Sequence, residues 1–157
     1  MKIEVLEGNL LDFPSGINVI AHSCNTLNIM GGGIAKSMSD IYPEVYEADS
    51  LAHENGEVSL GSFSLCKLKS DSKKRVVNLY TQSSIGSGKQ VNYEAFYNAL
   101  SLLASAMESS SRSGNYVLGL PYGISCGLAG GDWRIIESMI HSVFENCSFK
   151  VYLVKFK

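Results

Sequence analysis

Two glycine-rich segments hold the residues best suited to chemistry. The first runs His22-Ser23-Cys24-Asn25-Thr26-Leu27-Asn28-Ile29-Met30-Gly31-Gly32-Gly33-Ile34-Ala35 and leads from an apolar run into a helical pattern. Consecutive glycines let a ligand approach the backbone closely, and the start of a helix leaves N–H groups without partners. With the helix dipole, that arrangement suits a phosphate. The second segment, Pro121-Tyr122-Gly123-Ile124-Ser125-Cys126-Gly127-Leu128-Ala129-Gly130-Gly131-Asp132-Trp133, also joins a strand pattern to a helix pattern. Either segment alone reads equally well as a flexible turn. Together, at one end of a sheet, they can clamp a diphosphate from both sides. Neither is a Walker loop, and neither carries the GxGxxG fingerprint.

Several side chains beside these segments have two readings each. An ordinary histidine pKa near neutrality would suit His22 to acid–base work, or the ring packs beneath the loop bonded to backbone. Asp132 can orient a water, or it caps the helix that begins at Trp133. Cys24 and Cys126 are nucleophiles only if a loop lowers their pKa, and otherwise are small buried thiols. Lys89, in the polar loop from Gln82 to Gln90, can steer a phosphate or simply face solvent. Trp133, Tyr80, Tyr93 and Tyr97 read as packing residues.

The elements that position these loops follow from patterning. Alternation makes Lys2 to Leu6 a strand, and the apolar run Ile17 to Ala21 a strand buried on both faces, with a loop from His22 onward. Helices are expected from Ile34, from Pro43 to Gly56, from Tyr93 to about Ser109 behind the cap Asn92, and from Trp133 to Phe144. Strands are expected over Phe63 to Leu68, Arg75 to Tyr80, Tyr116 to Leu120 and Phe149 to Phe156. Strands alternating with helices favour a central sheet covered on both faces, with ligands beyond the carboxyl ends of the strands.

The 157 residues fit one domain spanning 1–157, and 45% apolar content supplies a core. With 13 basic against 15 acidic residues, general nucleic-acid binding is not expected. No apolar run approaches the roughly 18 residues of a membrane span, and the first residues lack the form of a secretory signal. The four cysteines make no CxxC pair, and the three histidines stand at no metal-ligand spacing to them. Free thiols in a cytoplasmic protein, with no metal and no cofactor, are the expectation.

Gly8-Asn9-Leu10, Asn25 with Gly31 to Ala35, and above all Ser125-Cys126-Gly127-Leu128-Ala129-Gly130-Gly131-Asp132-Trp133 resemble the macro domain family, which binds ADP-ribose. The last segment is similar to the microbial and phage branch that processes ADP-ribose-1''-phosphate. The resemblance implies a three-layer α/β/α sandwich around a mixed, mostly parallel sheet. It implies that Gly8, Asn9 and Leu10 lie near adenine, with Asn9 where the family usually has an aspartate. Asn25 matches an asparagine that bonds the distal ribose. Gly32, Gly33 and Ile34 match one diphosphate loop, and Ser125, Cys126, Gly127, Leu128 and Ala129 match the other. Phe156 lies where many members stack a side chain on adenine. His22, Asn25 and Asp132 are the catalytic candidates.

Three departures matter. Ala35, Gln82 and Ala129 stand where other branches of the family carry a catalytic aspartate, lysine and aspartate. None of the three can serve as a general base or form a lysyl adduct. The expected activity is conversion of ADP-ribose-1''-phosphate to ADP-ribose and phosphate by a monomer. A non-catalytic ADP-ribose-binding module, or a hydrolase of ADP-ribosyl groups or O-acyl-ADP-ribose, are the alternatives.

Overall fold

A computed structural model describes residues 3–86 and 88–157. The expected strand start at Lys2 lies outside the described residues. The chain forms β1 (Ile3–Gly8), β2 (Val19–Asn25), α1 (Gly33–Ile41), α2 (Pro43–Glu54), β3 (Phe63–Lys67), β4 (Arg75–Gln82), α3 (Tyr93–Ser109), β5 (Val117–Pro121), α4 (Trp133–Phe144) and β6 (Lys150–Phe156). The strands make one six-stranded sheet in the order β1-β6-β5-β2-β4-β3. Only the edge pair β3–β4 is antiparallel; the other pairings are parallel.

Strand alternation sends side chains into two separate cores. Val19 and Ala21 of β2, Val77 and Leu79 of β4, and Leu118 and Leu120 of β5 meet Phe96, Leu100 and Leu103 of α3 and Ile136, Ile140 and Phe144 of α4. Ile20 and Cys24 of β2 and Val76 and Tyr80 of β4 meet Met38 of α1 and Val45 of α2 on the opposite face. The outcome is the expected α/β/α sandwich with a mixed, mostly parallel sheet. Local sequence sets the helix starts. The Asn92 side chain accepts a hydrogen bond from Ala95 N–H at 3.0 Å, and Asp132 accepts one from Arg134 N–H at 2.9 Å. Each satisfies a backbone donor that a helix start leaves orphaned.

One boundary differs from the sequence reading in a way that matters. The second strand does not end at Ala21. It continues through His22, Ser23 and Cys24 to Asn25, because β4 pairs with it from Val19↔Arg75 to Asn25↔Gln82, across a bulge at Cys24/Asn25. The composition of His22-Ser23-Cys24-Asn25 reads as loop, but backbone pairing with a neighbouring strand overrides it. Short 3-10 turns form at Leu10–Asp12, Pro14–Gly16 and Ser113–Asn115. The first seats the β1–β2 connection on β5: a Cβ at Gly119 would stand 2.7 Å from Leu10 Cδ1 and 2.8 Å from Ile17 Cδ1.

Candidate functional site

A cavity of about 600 Å³ opens beyond the carboxyl ends of β2, β4 and β5. That volume lies within the range of small-molecule sites. Ser23, Cys24 and Asn25 line it from β2, Gly31 to Ala35 from the first glycine loop, and Gly123 to Ser125 and Gly127 to Ala129 from the second. Gln82, Ile85 and Gly86 line the third side. A second cavity of about 260 Å³, lined by Asn9, Leu10, Tyr122 and Phe156 among others, shares Ile34 and Pro121 with the first. The two cavities therefore adjoin one another across those residues.

The polar character of the larger cavity is mostly backbone. The first helical bond from outside α1 is Lys36 N–H to Gly32 O, at 3.2 Å. The N–H groups of Gly33, Ile34 and Ala35 precede it and, among the described residues, meet no protein acceptor. In the second loop the N–H groups of Gly127, Leu128 and Ala129 are likewise without one. The loops approach each other closely: a Cβ at Gly32 would stand 2.9 Å from Leu128 Cδ1. Gly33 adopts φ +58, a conformation that a side chain would strain. Among the described residues, no Asp, Glu, His, Lys or Arg lines either cavity.

Asn25 shapes the first loop from within. Its Nδ2 donates to Ile29 O at 2.8 Å, and its Oδ1 accepts from Leu27 N–H at 2.9 Å and Ile29 N–H at 3.4 Å. Asn9 does the same beside the smaller cavity, where Oδ1 accepts from Leu11 N–H at 3.0 Å. Phe156 stands at the rim of that cavity, 80% exposed. Ser23 Oγ and Ser125 Oγ lie 2.5 Å apart, and both residues line the larger cavity.

Other candidates fall outside the lining. His22 is fully buried on the same face of β2 as Ile20 and Cys24. Its Nε2 lies 2.7 Å from Asn78 Oδ1, so the ring donates there. Burial pulls its pKa down to about 4, although the bond to Asn78 opposes that shift. His22 is thus neutral near pH 7, and its position is that of the packed histidine. From Asn78 the bonding continues inward: Nδ2 donates to Ser64 Oγ at 3.1 Å, Ser64 pairs with Tyr80 Oη at 2.7 Å, and Tyr80 donates to Asp49 Oδ1 at 2.6 Å.

Asp132 caps α4 and pairs with Arg134 at 3.1 Å, a guanidinium that holds its carboxyl below the usual range. Gly8 ends β1, paired with Phe156, and does not line the smaller cavity. Cys126 lies in the second loop without lining the cavity. Burial pushes the Cys126 thiol up, and burial together with the Asp49 charge does the same to Cys24. Both shifts oppose formation of a nucleophilic thiolate. Lys89 Nζ lies over the Tyr93 ring, 4.7 Å from its centroid, and does not line the cavity. Ser23 was not expected as a ligand-binding residue, and only the extension of β2 past Ala21 reveals it. Gln82, Ile85 and Gly86 belong to the loop from Gln82 to Gln90, which the sequence reading expected to cover the distal ribose.

No protein-family model matches the chain. It is 32% identical, over 143 residues, to an uncharacterized 17.5 kDa protein from the tk-vs intergenic region of Enterobacteria phage T4, covering 89% of this chain and 88% of that one. It is 29% identical to the ADP-ribose 1''-phosphate phosphatase of Lodderomyces elongisporus, covering 98% of this chain and 99% of that protein. The macrodomain of Mycobacterium tuberculosis DarG superposes with a TM-score of 0.80 at 22% identity, covering 98% of this chain and 96% of that one. The chain belongs to the macro domain family. In this macro domain, all three departures noted in the sequence, Ala35, Gln82 and Ala129, line the larger cavity. None of the three has an ionisable side chain.

Proposed function

We propose that this protein binds ADP-ribose and hydrolyses ADP-ribose-1''-phosphate to ADP-ribose and phosphate. The observation that carries the reading is the pair of loops whose unpartnered N–H groups converge on one charge-free cavity. A diphosphate held there receives hydrogen bonds from Gly33 to Ala35 on one side and from Gly127 to Ala129 on the other. The smaller cavity beside Asn9 and Phe156 takes the adenine, and the terminal ribose and its 1''-phosphate reach past Asn25 toward Gln82 and Ile85. The phosphatase named among the relatives supports the substrate.

In the reaction, water attacks phosphorus, the bond to the ribose 1''-oxygen breaks, and that oxygen takes up a proton. Phosphoryl transfer through a loose transition state needs positioning and charge stabilisation more than a strong base. Backbone donors fixed in advance supply the second requirement. His22 and Asp132 have no part in this scheme, since neither lines the cavity.

The test is phosphate release from ADP-ribose-1''-phosphate at high enzyme concentration. Stoichiometric formation of ADP-ribose and phosphate is expected. No release would favour the second reading, an ADP-ribose-binding module without turnover, for which Ala35, Gln82 and Ala129 are the specific motive. The reading treats residues 1–157 as one monomeric cytoplasmic domain. Four cysteines outside any disulfide fit a reducing compartment, and no helix among the described residues is long and apolar enough to cross a membrane.

A further inference from the structure

The connection from β2 to α1 carries one wall of the larger cavity, through Ile29 and the glycines that follow it. Little apolar burial fixes the tip of this loop. Leu27 and Ile29 are both exposed, and of the tip residues only Met30 enters a core. Each residue held in one conformation costs entropy, so hydrogen bonds must set where the tip stands.

Those bonds come from two sides. From β2, the Asn25 side chain bonds Leu27 N–H, Ile29 N–H and Ile29 O. From the opposite side comes α2. Asn28, at the tip, has φ 60, a left-handed conformation that asparagine tolerates. Its backbone oxygen accepts from Tyr46 Oη at 3.0 Å, and its Oδ1 accepts from Ser50 Oγ at 3.2 Å. Tyr46 and Ser50 stand at i and i+4, so one stripe of α2 makes both bonds. A neighbouring stripe, Val45 and Asp49, is buried and ties α2 to the sheet. Asn78 Nδ2 donates to Val45 O at 3.4 Å, and Tyr80 Oη donates to Asp49 Oδ1 at 2.6 Å. The loop tip is therefore held in register with the sheet through α2 as well as through Asn25. Ile29 in turn rests on the glycine run: a Cβ at Gly31 would stand 3.5 Å from Ile29 Cγ2.

We propose that Tyr46 and Ser50 are positioning residues for ligand binding, latching Asn28 to α2 so that Ile29 and the glycine run stand in place before the ligand arrives. Neither residue lines either cavity, so neither touches the ligand. Their effect is on the cost of binding, because a loop already ordered loses less freedom when the ligand enters. The proposal rests on the reading of the cavity as an ADP-ribose site and extends that site's machinery to a helix outside it.

The test uses the full chain with Tyr46→Phe, Ser50→Ala, Ser50→Thr and the Tyr46→Phe/Ser50→Ala double variant. Three quantities are read: ADP-ribose affinity by calorimetry, melting temperature, and amide hydrogen exchange at Leu27 and Ile29. The double variant is expected to bind ADP-ribose roughly tenfold more weakly, and Tyr46→Phe and Ser50→Ala each about threefold more weakly. Ser50→Thr keeps the hydroxyl and is expected to bind as the wild type does. Melting temperatures are expected to stay near the wild-type value, since both bonds lie at the surface. In the free double variant, exchange at Leu27 and Ile29 is expected to quicken, and saturating ADP-ribose is expected to slow it again. Faster exchange throughout the chain with a lower melting temperature would make the pair merely structural and overturn the proposal. Wild-type affinity, or unchanged exchange at Leu27 and Ile29, in the double variant overturns it while leaving the ADP-ribose reading intact. Absence of ADP-ribose binding by the wild type overturns both.

Discussion

His22 shares the Ile20 and Cys24 face of β2, donates to Asn78, and heads a run of hydrogen bonds that ends at the buried carboxylate of Asp49. Its neutral form is the one the fold accepts. The folded pKa of about 4 lies below the ordinary histidine value of 6.5, so the unfolded chain binds more protons between those limits. Stability from this group is complete above about pH 6.5 and is lost as pH falls toward 4. The shift corresponds to about 3 kcal/mol at most. Asp49 opposes it: burial raises its pKa, so its share is present at low pH and is lost as pH rises through the folded value. His53, 3.5 Å from Asp49, and Cys24 share the neighbourhood. Denaturant titrations of wild type and His22→Gln between pH 4 and 7 isolate the His22 share. The wild type is expected to lose more stability on acidification than the variant, and equal slopes would refute the assignment. The sequence alone left His22 open, because its chemistry depends on which face of an undetected strand extension it occupies.

At the scale of elements, caps and pairings decide where the cavity walls begin. Asn92 and Asp132 were legible as helix starts, since each offers an acceptor just ahead of an apolar periodic segment, and α3 and α4 begin one residue later in both cases. Asn92→Ala is expected to cost about 1 kcal/mol by chemical denaturation. Asp132→Asn keeps an acceptor for Arg134 N–H and loses the carboxylate. Phosphate release is expected to survive that change, and a large loss of turnover at unchanged affinity would return Asp132 to the reaction. The ends of β2 and β4 were not legible. His22 to Asn25 and Thr81-Gln82 lack the apolar run that marks a buried strand, and they become strand only because each supplies the other's hydrogen-bond partners. That mutual pairing places Ser23 and Gln82 in the cavity wall.

For the whole molecule, the layered order of strands and helices was readable from alternation and periodicity, and the sheet end carrying the two glycine loops followed from it. What patterning could not supply was the cavity's electrostatic character. The sequence offers His22, Asp132 and Lys89 near the loops, yet the fold turns the first into the sheet's far face, the second onto a helix start and the third onto Tyr93. The result is a cavity lined, among the described residues, by no charged side chain, so that the proposed anionic ligand would be held through N–H groups and neutral polar side chains. Its geometry depends on glycines: a side chain at Gly33 strains the backbone at φ +58 and lies 3.5 Å from Leu128 Cδ1 from its first carbon onward. The most direct test is calorimetric titration of the wild type and Gly33→Glu with ADP-ribose, with AMP and ADP as controls and melting temperatures as a check on folding. The wild type is expected to bind ADP-ribose in preference to both controls, and the folded Gly33→Glu protein to bind none of the three detectably. Undiminished ADP-ribose binding by Gly33→Glu, or none by the wild type, would contradict the account.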